Sequence, residues 1–154
     1  GLMRLPLVWR PAPSAAATPA VVHRPVGLVD LAPTFCAIAG LDIQPWMQGQ
    51  PLPAAADAPA PERVLTEWDS ELFGVAVHLR TVTRDRWVCT AYLPGTVHDG
   101  SEGELYDLFD DPLQRHNRWD DPSCRALRDD LVADLWDNQP PAFEGRRIPL
   151  QAPV

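Results

Sequence analysis

Apolar and polar residues alternate with a period of two through much of the second half of the chain. They switch to a helical period in two other places. Val75, Val77, Leu79, Thr81 and Thr83 alternate with Ala76, His78, Arg80 and Val82, which predicts a strand over 75–83. Shorter strands are predicted at 63–67, 87–92 and 104–108, and Arg84-Asp85-Arg86 suits a tight hairpin between the second and third of the four. Leu31, Phe35 and Ile38 share one face of a helix over 31–39. Asp30 is its expected N-cap, Pro33 is tolerated in its first turn, and Gly40 stops it. A second helix starts at Asp121-Pro122 and carries Cys124, Leu127, Leu131, Val132, Leu135 and Trp136 as an apolar stripe. Pro140-Pro141 ends it. At the other end of the chain, Leu5, Leu7, Val8 and Trp9 predict a short buried strand within 2–10, with Pro6 at its start or on an edge.

The expected architecture is α+β. A small antiparallel sheet of three to four strands with one packed C-terminal helix follows a strand-loop-helix edge that would belong to a larger α/β domain. The Pro/Ala-rich run at 54–61 reads as a linker. It divides residues 1–53 from a C-terminal subdomain at 62–138, and 139–154 reads as a tail.

Composition narrows the functional classes. A net charge of −8 leaves no basic footprint for nucleic acid. No apolar run nears the roughly 20 residues that cross a bilayer, so no membrane partner is expected. All thirteen cations are Arg, so no lysine chemistry is available. Cys36, Cys89 and Cys124 form no paired spacing, and buried, inert thiols are expected at Cys36 and Cys89.

Two motifs carry more than composition does. Asp30-Leu31-Ala32-Pro33-Thr34 is followed by Ala39-Gly40, and Glu104-Leu105-Tyr106-Asp107-Leu108 by Asp111-Pro112 and Asn117. In this order they resemble the C-terminal part of an arylsulfatase-like sulfatase of the alkaline-phosphatase superfamily, over residues from about Arg4 to about Trp136. The resemblance implies a sulfuric ester hydrolase. Its nucleophile would be a formylglycine beside a divalent cation such as calcium, both in polypeptide preceding this chain. It also implies that the remainder of the catalytic domain is this segment's partner, and a small-molecule sulfate ester the substrate of the complete enzyme. The fragment alone would be inactive.

The sequence fits that division. Formylglycine arises within Cys/Ser-x-Pro-x-Arg, and none of Cys36, Cys89, Cys124, Ser14, Ser70, Ser101 or Ser123 has Pro two residues on. The pairs Asp110-Asp111, Asp120-Asp121 and Asp129-Asp130 each direct about one carboxylate to any one place, whereas hard cations need several oxygens. Turn and cap duty accounts for the first two pairs, and a solvated helix face for the third. His98-Asp99-Gly100 reverses the superfamily's Asp-His-Gly metal motif and reads as a polar turn. No metal ligand or catalytic residue is therefore assigned.

The remaining cluster is Glu67-Trp68-Asp69-Ser70-Glu71, expected to end a strand ahead of Gly74. In the sulfatase family, loops of this subdomain border the substrate pocket. The resemblance thus makes Trp68 and Asp69 candidate substrate-binding residues; an ordinary strand end with a core Trp is the bland alternative. Two other readings stay open: a stand-alone, non-catalytic binding module, and a fragment of a related phosphonate or phosphate ester hydrolase.

Overall fold

The computed structural model describes residues 6–10, 19–53 and 61–139. Most of the linker at 54–61, the tail beyond 139 and the first part of the strand expected at 2–10 lie outside the described residues. The central element is an antiparallel sheet in the order β1-β2-β3-β4, formed by Arg63–Leu72, Val75–Arg84, Trp87–Leu93 and Gly103–Asp107. Each strand pairs with the next in the chain, so only hairpin closures are required. β1 is five residues longer than the strand expected at 63–67. Its whole length pairs with β2, from Arg63 opposite Arg84 to Leu72 opposite Val75.

Register assigns the faces. Leu65 lies opposite Val82, Val82 opposite Cys89, and Cys89 opposite Leu105. Directly opposed residues point to the same side of a sheet. Val82, Cys89 and Leu105 are fully buried there beneath Leu131 and Leu135 of α2 (Arg125–Asp137). Asp121 caps the 3₁₀ turn Pro122–Cys124 that leads into α2, accepting the Ser123 N–H at 2.9 Å. The apolar stripe of this helix packs as expected, except that Trp136 at its end stays exposed.

The acidic face of α2 is not simply solvated. Arg63 and Arg84 face one another across β1 and β2, a repulsive placement if left alone. Asp134 accepts from both, from Arg63 Nε at 3.0 Å and from Arg84 at 3.1 Å, and Asp130 takes a further bond from Arg84. The two arginines thereby become a clamp holding the helix to the sheet.

The N-terminal part contains a 3₁₀ turn, Leu28–Asp30, and α1, Leu31–Ala39, which closes on Gly40. Residues 6–10 form no strand. A strand exists by its ladder, and among the described residues none lies beside this one. Asp30 does not cap α1 through its side chain as expected. The preceding 3₁₀ turn puts its own backbone in the helical region, and its carboxylate instead accepts from Gly27 N at 2.8 Å and Gln50 N at 3.0 Å. Thr34 completes the tie, donating to Asp30 O at 2.5 Å and accepting from Leu52 N at 2.8 Å. Gly49 fits here because a Cβ would fall 2.2 Å from the Val29 carbonyl oxygen. Phe35 and Ile38, on the shared apolar face of α1, stand open to solvent.

Replacing Asp134 with Ala leaves two facing guanidinium groups without their shared acceptor. The expected loss is about 2 kcal/mol, the scale of a charged hydrogen bond removed, read from the midpoint of urea unfolding. Asp130→Ala, at a more exposed site paired with Arg84 alone, is expected to lose clearly less.

Candidate functional site

Trp68 and Asp69 lie in the interior of β1, not at a strand end. Neighbours on a strand point to opposite faces, so the sheet separates the two side chains. Trp68 sits opposite Leu79 on the face away from α2 and is 56% exposed. Asp69 points to the α2 side, beyond the helix's reach, opposite His78.

There Asp69 is held by three contacts from two partners. Arg80 grips both carboxylate oxygens at 2.9 and 3.1 Å, and His78 Nδ1 lies 2.8 Å from Oδ1. The Arg80 hydrogen bond, reinforced by His78, holds the Asp69 carboxyl below its ordinary range against the opposing effect of partial burial. The sequence singled out Asp69 but not its two partners. Pairing of β1 with β2 brings them together, and the signal was their alternation with apolar residues in the second predicted strand.

The other candidates resolve into structural roles. Asp107, at the end of β4, is 2% exposed. Burial pushes its carboxyl up, but the N–H groups of Phe109 and Asp110 and the Arg86 guanidinium outweigh that and hold it low. Asp111 accepts the N–H groups of Arg115 and His116 at 2.7 and 2.8 Å. Asn117 accepts from Leu105 N and Trp119 N and donates to Gly103 O at 2.9 Å. The Glu104–Asn117 motif is thus most of the edge strand β4 and a turn tied back to it.

His98 tilts against Tyr92 with ring centroids 4.3 Å apart, and Asp99 closes a polar turn onto Ser101. Cys89 is buried and its thiol pushed up to about 12, whereas Cys36 is half-buried rather than fully covered. Among the described residues no group of three or more His, Cys, Asp or Glu stands together to hold a metal ion. Nor, among them, is any helix long and apolar enough to cross a membrane.

A four-stranded antiparallel sheet under one C-terminal helix, preceded by a tied helix-loop segment, is a fold shared with solved sulfatases, and the family match makes it the C-terminal part of one. The chain belongs to the family described as N-sulphoglucosamine sulphohydrolase, C-terminal, which matches residues 2–140. It is 32% identical over 121 residues to a Delta 4,5-hexuronate-2-O-sulfatase of Bacteroides thetaiotaomicron, covering 71% of this chain and 24% of that protein. Among solved structures it resembles a 2-O GAG sulfatase, with 32% identity, TM-score 0.53, and coverage of 70% of this chain and 25% of the other. A phosphonate monoester hydrolase of Agrobacterium radiobacter shares the fold at 20% identity and TM-score 0.54, over 70% of this chain and 23% of that one. The chain therefore spans about a quarter of the length of its relatives.

A carboxylate whose folded pKa is depressed stabilises the fold above its unfolded value and loses that contribution as pH falls through the folded value. Asp69→Asn is accordingly expected to be less stable than the parent at neutral pH. The gap should narrow as pH drops below about 4, the unfolded Asp value. Paired thermal melts at several pH values measure it; a gap that stays constant would mean Asp69 contributes nothing through its charge.

A second expectation concerns the thiols. Under native conditions iodoacetamide should alkylate Cys36 and leave Cys89 unmodified until denaturant is added, as read by peptide mass spectrometry.

Proposed function

We propose that these residues form the C-terminal part of an enzyme that hydrolyses sulfate esters, with a sulfated sugar as the substrate class. The observation that carries this reading is the family match across nearly all of the chain. The named activity of the 32%-identical relative, a hexuronate sulfatase, supports the substrate class. On this reading the formylglycine nucleophile and a divalent cation, calcium or another, are held by polypeptide outside these residues. The chain has no Cys/Ser-x-Pro-x-Arg sequence and, among its described residues, no metal-holding cluster. Its own part is to complete the fold of the catalytic domain, with Trp68 and Asp69, one on each face of the edge strand β1, bordering the substrate pocket. An exposed indole is a suitable wall for a sugar ring, and Asp69 is fixed in place by Arg80 and His78.

The size of the native polypeptide carrying this sequence is the direct test. A mass of about 45–60 kDa, from domain-size arithmetic, with formylglycine in its other part, supports a sulfatase. A polypeptide of 17.0 kDa would replace the enzyme reading with a stand-alone binding module. In the larger protein, Trp68→Ala and Asp69→Ala are each expected to raise KM for a sulfated sugar while leaving kcat nearly unchanged. If neither variant changes KM or substrate preference, the two residues have no place in the pocket.

A further inference from the structure

The sheet has two faces of different kinds. Toward α2, β1 and β2 present Arg63, Glu67, Asp69, Glu71, His78, Arg80 and Arg84 around a small apolar centre. The opposite face of the same two strands carries no charge at all. Its β1 positions are Val64, Thr66, Trp68, Ser70 and Leu72, and those of β2 are Val75, Val77, Leu79, Thr81 and Thr83. At one end of this face the N-terminal segment arrives: a Cβ at Gly27 would lie 3.2 Å from Val64 Cγ1. Toward the other end Trp68, Leu72 and Val75 remain open.

The hairpin tip beyond them is Phe73-Gly74. Both residues have positive φ, +52° and +80°, as a type I′ turn requires. Such turns favour Asn or Gly, and a bulky aromatic in this conformation is strained. The chain nevertheless places Phe there, 95% exposed. Strain kept at an exposed position points to a contact made elsewhere.

We infer that the charge-free outer face of the β1–β2 hairpin, ending in Phe73, is a docking strip for the catalytic polypeptide that accounts for the other three-quarters of the relatives' length. The strip continues the face against which the N-terminal segment already lies at Gly27, which fixes the side from which that polypeptide approaches. Leu72, Val75 and Leu79 form its floor and Phe73 is its anchor. The inference rests on the sulfatase reading and adds to it a particular surface.

Hydroxyl-radical footprinting of the full native polypeptide tests this, comparing Phe73 oxidation in the folded and urea-unfolded protein. Several-fold protection that persists on dilution is expected. Protection lost on dilution would assign the strip to a second copy. Protection that needs added sulfated sugar would assign it to substrate, and none at all would leave the tip free; each overturns the inference. A polypeptide of 17.0 kDa would instead remove the sulfatase reading itself, so the two failures differ. Phe73→Gly gives an independent reading because it relaxes the turn. A lower melting temperature in the full protein would mean lost docking, and an unchanged or higher one would overturn the inference.

Discussion

An antiparallel sheet can leave a polar face to water, but the outer face of β1 and β2 carries no charge and is only partly covered, and this constraint governs the rest of the structure. On one side α2 buries Val82, Cys89 and Leu105 under Leu131 and Leu135, and Asp134 locks the arrangement by joining Arg63 and Arg84. On the other side Thr81, Thr90 and Val88 are buried, yet the row through Trp68 toward the hairpin tip lies open. The exposed Phe35 and Ile38 of α1 tell the same story in the N-terminal segment. An apolar helix face and a charge-free sheet face are thus both left open, and the proposed docking onto further polypeptide would cover the second of them.

The motifs that identify the family do mechanical work in this chain. Asp30 and Thr34 tie the start of α1 to the loop at Gln50 and Leu52. Asp107, Asp111 and Asn117 satisfy the backbone of a turn that must leave β4 and reach α2 without secondary structure of its own. Buried backbone donors need partners, and short acidic and amide side chains supply them where no ladder or helix does. Their chemistry is that of fixed acceptors, with each carboxylate already occupied by N–H groups or arginine. The same residue types that suggest catalysis in a sequence therefore serve, in this segment, to hold irregular backbone in place.

Sequence patterning alone determined the antiparallel sheet, its hairpin at Arg84-Asp85-Arg86, both helices, the Asp121 cap and the family. These follow from local chemistry: alternation, helical spacing, capping residues and turn formers act over a few residues and are legible there. Only the tertiary structure decided that β1 extends through Trp68–Leu72, because pairing with β2 pulls into the ladder a largely polar stretch that local propensity would release. It also decided that Asp30 ties a loop instead of capping a helix. It put Trp68 and Asp69 on opposite faces, and joined Asp69 to His78 and Arg80 across a hairpin. Each of these depends on register and on contacts between residues distant along the chain, which no local pattern specifies.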